Sequence, residues 1–354
     1  VVVEGPTGTG KAQGYLVPAA LHALRGRVRS ERDGRPEAKT LPTVVCTANI
    51  ALQEQLCVHP DEKVLTSDLR HVPAHTIRPG MSLVGFDEER QGTRRRFRNA
   101  VVTSADVLEK PCYRLTFSDG TTVVCSHDHL WLCARGPNIK WLKASSMVPG
   151  KGARQGSAVV KVVDRWEPAN TYRAGYLAAA VDGEGWLSQQ RSKQYDGVTT
   201  KLGFSQNPNV MLETVRDWVS EEGFEFSEKK HGAACRRLEI YGRADVLRFL
   251  GIMRPKRLLA LFDVDLLGTL PTGRRVRLVK KEDLGLQPVV AIATTTRTLV
   301  VNGLASHNCN KDLPFLEQAL PGLRYAILKG KQNYLCVDKF EKADREQPML
   351  VAEI

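Results

Sequence analysis

The chain has 354 residues, 42% of them hydrophobic, and a formal net charge of +12. This length exceeds one typical core and predicts two or three domains, and the composition is that of a globular protein rather than a disordered or fibrous one. No apolar run reaches the roughly 18 residues that a transmembrane helix needs, and the start lacks signal-peptide character. We therefore expect a cytoplasmic protein with no membrane partner.

The eight cysteines include no C-x-x-C pair. This spacing argues against a zinc ribbon or a disulfide scaffold and favours a reducing compartment. The positive charge favours a polyanionic partner such as nucleic acid. Basic residues cluster at 94–98, 254–257 and 274–281, although each cluster is explained equally well as a solvated surface.

The first segment has the order strand, glycine-rich turn and helix. Residues 1–3 are valines, typical of the middle of a strand, so we expect a piece of a longer protein; residues 4–11 read EGPTGTGK. Backbone N–H groups at Gly5, Gly8 and Gly10 and the side chain of Lys11 could cradle phosphates, which predicts a P-loop for ATP. Ala12 stands where a Ser or Thr hydroxyl would hold Mg²⁺, which argues against ATP hydrolysis.

The pattern changes at Cys57 to short β-type runs separated by turns, and this all-β character continues to residue 164. Residues 165–270 predict a helix, two strands, a helix, two strands and a helix, and strand character returns over 271–308. We therefore predict a mixed fold. An α+β unit is nested in an all-β unit, which itself interrupts an α/β P-loop unit made by residues 1–56 and 309–354.

The residues at the two ends of this insertion point to self-excision. Joining Leu56 to Cys309 gives the continuous reading TANIALQEQL–CNKDLPFLEQAL. The thiol of Cys57 could attack the Leu56 carbonyl and form a thioester, which Cys309 could then take over. The side-chain amide of Asn308 could cyclise on its own carbonyl, with His307 protonating the departing amine or polarising that carbonyl.

The same chemistry needs polar groups over the first scissile amide. Ser126 and His129 follow a predicted strand at 122–125 and could hydrogen-bond the Leu56–Cys57 amide. Taken alone, His129 is explained better as an ordinary core or turn histidine. The termini of the insertion make the catalytic interpretation the stronger one.

These residues resemble the blocks of inteins, which have a Hint-type horseshoe of β-strands. The resemblance is carried by the opening cysteine, the S-x-x-H block and the ending VNGLASHN before Cys309, and it covers 57–164 and about 271–308. It implies autocatalytic protein splicing without a cofactor. The sequence departs from the family at Ser126, where Thr is commoner, at Ala291, where many inteins carry Asp, and at Arg297, where many carry His. A Hedgehog-type autoprocessing domain shares the first step but does not need His-Asn before a cysteine.

Residues 172–185 read YRAGYLAAAVDGEG, an alanine-rich helix that ends in an acidic turn. A tightly packed core helix has the same pattern. The segment nevertheless resembles the LAGLIDADG motif of homing endonucleases, with Ala179 replacing a Gly, and the αββαββ order that follows is typical of that family. The resemblance implies Glu184 as the Mg²⁺-binding catalytic acid, Asp182 as a structural acid and Gln206 as a polar active-site residue. It also implies a double-stranded DNA target.

A second such motif at 258–266 is rejected, because the β block fills most of the chain that remains before Asn308. With one motif, cutting both DNA strands would require a homodimer.

The flanks resemble DinG-type superfamily-2 DNA helicases, through EGPTGTGK, VVCTANIALQEQL and KDLPFLEQALPG. Cys336 would match the first iron–sulphur ligand of that family, but one cysteine cannot hold a cluster. The leading interpretation is a splicing element with a homing endonuclease, lodged in a helicase. The alternative is an ATP-binding helicase whose insertion is an inert DNA-binding domain.

Overall fold

The computed structural model describes residues 57–308 except 93, 136–137, 151–155, 192–196 and 233. These residues belong to one compact unit that spans Asn49–Asn310. The predicted P-loop residues Gly5, Gly8, Gly10 and Lys11, the helicase-like flanks and Cys309 lie outside the described residues.

The described part is rich in antiparallel β-structure, and the larger of its two sheets has 11 strands. Its strands are β1 (Lys63–Leu65), β2 (His71–Pro73), β3 (Ser82–Phe86), β4 (Phe97–Phe117), β5 (Thr122–Ser126), β6 (Leu130–Arg135), β7 (Asn138–Lys143), β8 (Ala158–Val160), β13 (Arg275–Thr294), β14 (Thr298–Val301) and β15 (Leu304–His307). The order is β2-β1-β14-β15-β6-β8-β13-β4-β3, with β5 beside β4 and β7 beside β6. The longest pairing joins β4 to β13 and is interrupted by register shifts, which bend such a ribbon.

The hairpin between β14 and β15 lies in the middle of this sheet. Its turn is Asn302-Gly303, whose φ angles of 48° and 78° are those that a two-residue hairpin turn requires. The side chain of Asn302 fixes the turn, since its Oδ1 accepts from the Lys63 N–H at 2.9 Å and its Nδ2 donates to the Thr122 carbonyl at 2.8 Å. The hairpin therefore carries the end of the insertion back into the centre of the fold.

The smaller sheet and all the α-helices of the described residues lie between β8 and β13 in sequence. The chain runs through α1 (Tyr172–Glu184), β9 (Gly185–Arg191), β10 (Val198–Gln206), α2 (Val210–Glu221), β11 (Phe226–His231), β12 (Cys235–Tyr241), α3 (Arg243–Met253) and α4 (Lys256–Leu261). The sheet order is β11-β12-β10-β9. Side-chain caps begin the first two helices: Thr171 accepts from the Ala174 N–H at 3.2 Å, and Asn209 from the Leu212 N–H at 2.9 Å.

A hydrophobic core continues from the larger sheet into the helical unit. It contains Phe86 from β3 and Phe249 from α3, both of which are completely buried. Trp166, in the connection before α1, belongs to the same core and donates its indole N–H to the Leu69 carbonyl at 3.0 Å. A Cβ at Gly251 of α3 would overlap the Trp166 ring, so glycine is needed at this contact.

None of the helices in the described part of the chain is long and apolar enough to cross a membrane.

Candidate active site

Cys57 begins the described chain and is completely buried between two strands of the larger sheet. The next residue, Val58, bridges both Cys125 of β5 and Val290 of β13. The N–H of Cys57 donates to the hydroxyl of Ser126 at 3.3 Å, and the N–H of Ser126 donates to the Cys57 carbonyl at 3.0 Å. The amide nitrogen of the predicted first scissile bond therefore lies against the predicted serine.

His129 lies in the turn that follows β5, and its N–H donates to the Ser126 carbonyl at 3.0 Å. Its ring is 2% exposed. Burial lowers the pKa of His129 to about 3, an effect that Asp128 and a hydrogen bond with the Cys57 backbone partly oppose. Because desolvation disfavours the charged form of an imidazole, His129 is neutral at pH 7 and can accept a proton there.

Ser306 connects His129 to the downstream end of the insertion. Its hydroxyl lies 2.8 Å from Nε2 of His129 and donates to the His307 carbonyl at 3.1 Å. A hydroxyl has one proton, so with that proton on the His307 carbonyl its oxygen accepts from the Nε2–H of His129. The Nδ1 atom then carries the lone pair of the ring.

His307 closes β15 and lies between two acceptors. Its Nδ1 is 2.8 Å from the Asn308 carbonyl oxygen, and its Nε2 is 2.8 Å from Oε1 of Glu88. The ring packs edge-on against Trp141, with centroids 4.9 Å apart. A hydrogen bond to the Asn308 carbonyl polarises the carbonyl that must be attacked if the insertion is to leave.

Asn308 is 1% exposed and is held by the turn between β13 and β14. Its backbone N–H donates to the Arg297 carbonyl at 3.0 Å. In the orientation that satisfies both ends of its side-chain amide, Oδ1 accepts from Oγ1 of Thr294 at 2.7 Å and Nδ2 donates to the Arg297 carbonyl at 3.2 Å. Arg297 has a φ of 58°, and this left-handed turn directs its carbonyl to both nitrogens of Asn308.

Two of the three departures from the intein pattern, Ala291 and Arg297, lie at opposite ends of the site. Ala291 is completely buried in a small apolar cluster with Cys57 and Cys112, so no carboxylate stands beside the first nucleophile at that position. Arg297 meets the site through its carbonyl, while its guanidinium reaches toward Glu88, with Nη1 at 3.5 Å from Oε2.

The sheet thus brings together five of the six splicing residues singled out by sequence: Cys57, Ser126, His129, His307 and Asn308. The sixth, Cys309, lies outside the described residues. Sequence reasoning did not single out Glu88 or Ser306. Glu88 is one of three consecutive acids and belongs to no motif, so no pattern distinguishes it; Ser306 was visible only as the residue before His307.

Glu184 is the last residue of α1 and is exposed. The next residue, Gly185, pairs with Phe204 of β10, two residues before Gln206, so Glu184 and Gln206 lie at the same end of the smaller sheet. Asp182 has a structural contact: its carboxylate accepts from the backbone N–H groups of Arg257 and Leu258, at 3.1 and 3.2 Å, where α4 begins. No group of three or more His, Cys, Asp or Glu residues that could hold a metal is found among the described residues.

The outer face of the smaller sheet is polar and basic. Leu202, Phe204, Leu238 and Ile240 are buried toward the helices, and alternation along a strand points their neighbours the other way. Those neighbours form an outer face defined by Ser188, Lys201, Ser205, Lys229, Arg237 and Tyr241, which are adjacent in register.

The three basic clusters singled out by sequence are largely engaged within the fold. Arg95 is 8% exposed and donates to the Glu88 carbonyl at 3.2 Å. The other internal contacts are Arg98 with Asp87, Arg254 with Asp68, Arg257 with carbonyls at the end of α1, Arg274 with Asp164, and Lys281 with the carbonyls of Ser145 and Met147. Most of the arginines in these clusters stabilise turns and helix ends, so the clusters by themselves do not locate a binding site for a polyanion.

No protein-family model matches this chain, and no curated protein is significantly similar to it. Inteins are among the solved structures that are similar to it. A Ssp DnaB mini-intein variant aligns over 73% of this chain and 98% of its own length, with 10% identity and a TM-score of 0.34. The gp41-1 intein aligns over 72% and 100%, with 10% identity and a TM-score of 0.32. A DnaB intein from Synechocystis sp. PCC 6803 aligns over 72% and 99%, with 10% identity and a TM-score of 0.30. At such low TM-scores and identities, neither fold nor function transfers from these proteins to this chain.

Proposed function

We propose that residues 57–308 excise themselves from the chain by protein splicing and join Leu56 to Cys309, as an intein does. The observation that carries the proposal is the approach of the two ends within one sheet. Ser126 and His129 surround the Cys57 backbone, and Ser306 links His129 to the segment that ends at Asn308. A solitary buried histidine would need no such chain of contacts.

At the upstream end, the reaction exchanges an amide for a thioester. The Cys57 sulphur forms a bond to the Leu56 carbonyl carbon, the C–N bond of the scissile amide breaks, and the Cys57 nitrogen gains a proton. Neutral His129 can take the thiol proton and return it to that nitrogen, and the hydrogen bond from the Cys57 N–H to Ser126 holds the amide in place. The thiol of Cys309 then displaces that of Cys57.

At the downstream end, the Nδ2 atom of Asn308 attacks its own carbonyl carbon and the bond to Cys309 breaks. The nitrogen loses a proton and the departing amine of Cys309 gains one. His307 stabilises the charge that develops on the carbonyl oxygen through its 2.8 Å contact. Finally, the free amine of Cys309 attacks the carbonyl of the thioester formed on its own side chain. The thiol is released, and a peptide bond between Leu56 and Cys309 remains.

Mass spectrometry of the expressed full chain tests this proposal. We expect a ligated product of the two flanks and a separate insertion that ends in a succinimide. Cys57→Ala should abolish ligation and leave downstream cleavage possible, whereas Asn308→Ala should retain the thioester, seen as cleavage with added thiol. Cys235→Ala, on the partly exposed β12 strand, is the matched control and should splice normally. An intact chain that persists with wild-type Cys57 and Asn308 would refute splicing.

We further propose that the α1–α4 unit binds double-stranded DNA through its outer sheet face and cuts it as a homing endonuclease. The face contains Lys201, whose cationic group can contact phosphates, and polar side chains that can contact base edges. Glu239 lies on the same face, 2.8 Å from Lys229 and 3.7 Å from Arg237, and neutralises part of their charge. The guanidinium carbon of Arg237 lies 5.5 Å from the centroid of the Trp186 ring, and this contact restrains the Arg237 side chain at the surface of the sheet.

Cleavage is proposed for a homodimer, since one chain supplies one Glu184 at this end of the sheet. Gly175, Ala179 and Gly183 are exposed along α1 at intervals of four residues, and a Cβ at Gly175 or Gly183 would meet no described atom within 4 Å. Such a surface permits close approach of a second helix. Mg²⁺ would supply activation of water, but the lone carboxylate of Glu184 in one chain does not form a magnesium site.

Binding and cutting can be separated with the Asn308→Ala chain, which cannot complete splicing. Lys201→Glu should weaken binding to random-sequence duplexes in a salt-dependent manner. Glu184→Gln should leave binding intact and abolish cutting with Mg²⁺. Lys140→Glu on β7, in the other sheet, is the control of equal charge change. Equal duplex binding by the two lysine variants would refute the assignment of the face.

The flanks are proposed to form part of a DinG-type DNA helicase after ligation, with ATP held by Gly5, Gly8, Gly10 and Lys11. The support is the sequence EGPTGTGK after an apolar strand. ATP-agarose retention of the ligated product, compared with its Lys11→Ala variant, tests this assignment.

A further inference from the structure

Glu88 follows β3 and lies outside every motif of the sequence, yet its carboxylate makes a direct contact with His307. The Oε1 atom is 2.8 Å from Nε2 of His307, and Oε2 is 3.5 Å from Nη1 of Arg297. We infer that Glu88 is a positioning residue for the downstream step: it orients His307 while Asn308 cyclises. This inference rests on the proposed splicing function.

Both ring nitrogens of His307 face oxygen acceptors, Nδ1 the Asn308 carbonyl and Nε2 the Glu88 carboxylate. A neutral imidazole carries one N–H and leaves one of these contacts without a proton, whereas an imidazolium carries two and satisfies both. The Glu88 contact therefore fixes the direction in which the ring faces the Asn308 carbonyl.

The carboxylate itself is held in its ionised state. Partial burial disfavours the charge, but the hydrogen bond and charge of His307, together with Arg297, hold the pKa of Glu88 below its usual range. Glu88 is therefore a carboxylate at the pH at which the protein would splice, and it can act as the charged partner throughout the reaction.

The backbone around Glu88 is held by contacts that a surface loop would not need. Its carbonyl accepts from the indole N–H of Trp141 and from Nε of Arg95, each at 3.2 Å. Trp141 also packs edge-on against His307. The Arg95 carbonyl accepts in turn from the Leu270 N–H at 2.8 Å. These contacts fix the carboxylate relative to the ring that it orients.

In the reaction, Glu88 keeps its charge and exchanges no proton. The new Nδ2–C bond of Asn308 forms as the C–N bond to Cys309 breaks, Nδ2 loses a proton and the Cys309 nitrogen gains one. His307 donates from Nδ1 to the oxygen that becomes negative, and the nearby carboxylate offsets the positive charge of the ring. Loss of Glu88 removes that offset and one of the two contacts that orient the ring.

The test uses the full chain with Cys57→Ala, so that cleavage at Asn308–Cys309 is measured alone by intact mass over time. Glu88→Gln should slow this cleavage at least tenfold, because the amide is nearly isosteric but carries no charge. Glu89→Gln is the matched control: Glu89 is the next residue, is exposed, and loses the same charge. Equal rates in the two variants would overturn the inference.

A double-mutant cycle separates a positioning role from general damage to the fold. If Glu88 acts through His307, Glu88→Gln should cause no further loss of rate when added to His307→Gln. Thiol-induced cleavage at Leu56–Cys57, measured with Asn308→Ala, should be unchanged by Glu88→Gln. A loss in both of these measurements would show that Glu88 only stabilises the fold and would overturn the inference.

Rescue by a conservative variant gives a further readout that a loss of packing alone would not produce. Glu88→Asp keeps the carboxylate and should cleave at Asn308–Cys309 faster than Glu88→Gln. Equal rates in these two variants would count against the inference. Absence of downstream cleavage in the Cys57→Ala chain itself would instead refute the proposed splicing step.

Discussion

Ser306→Ala tests whether the two ends of the insertion act as one site. Ser306 is completely buried, and its hydroxyl contacts Nε2 of His129 at 2.8 Å and the His307 carbonyl at 3.1 Å. Removing the hydroxyl leaves a buried imidazole N–H without a partner, which costs about 1–3 kcal/mol. For a domain of this size, each kcal/mol lowers the melting temperature by about 2–4 °C.

The same substitution should slow the upstream step. The ring of His129 loses the side chain that orients it toward Cys57, and misplacement of a reacting group by about 1 Å can cost about 100-fold in rate. We expect thiol-induced cleavage at Leu56–Cys57 to fall by about 10- to 100-fold. Both quantities are measured with Asn308→Ala, which keeps the chain intact during the assay.

Ser146→Ala is the control, since Ser146 is exposed and the same atom is removed. It should change neither the melting temperature nor the rate. If Ser306→Ala has the same melting temperature and the same rate of thiol-induced cleavage as Ser146→Ala, the Ser306 hydroxyl does not orient His129. The upstream and downstream junctions are then not coupled through this hydroxyl.

Three further predictions concern stability. Burial lowers the pKa of His71 to about 4 from 6.5. Between these pH values the unfolded chain binds more protons than the folded one, so the free energy of unfolding decreases as the pH falls from 6.5 to 4. His71→Leu should remove up to about 3 kcal/mol of this decrease, measured by urea unfolding at pH 7.5 and 4.5. Gly303→Ala should lower the melting temperature and stop downstream cleavage, because Gly303 has a φ of 78° and a Cβ there would overlap the Val163 carbonyl; normal cleavage would contradict this. Gly203→Val should cost about 1–3 kcal/mol, because a Cβ there would overlap the Trp186 ring, and an unchanged urea midpoint would show that the ring simply moves aside.

The residues that bear reactive groups at the junctions could be found from sequence because chemistry dictates their types and order. In the proposed reaction Cys57 and Asn308 must flank the bonds that break, and the turn sequence Ser118-Asp119-Gly120 indicates a hairpin that leads into the strand ending in Ser126. The structure has that hairpin, with Gly120 at a φ of 82° and Thr116 paired with Thr122. Local rules of turn chemistry are sufficient for such features.

Residues that act through another residue could not be found in this way. Glu88 is separated from His307 by most of the insertion, and only the pairing of strands distant in sequence brings the two together. The basic cluster at 94–98 is a similar case, because sequence shows the charge of Arg95 but not that its side chain is buried against Trp141.

The core shared by the larger sheet and the helical unit has a consequence for the history of the molecule. Deleting the helical unit would expose Phe86, Phe97 and Trp166, which are now buried with its helices; full exposure of such a side chain costs about 1.5–3 kcal/mol. If the unit cuts DNA as proposed, a lineage that lost this activity could not discard the unit by simple excision. Selection on splicing alone would retain it as a folded remnant, until substitutions had made the uncovered surface polar.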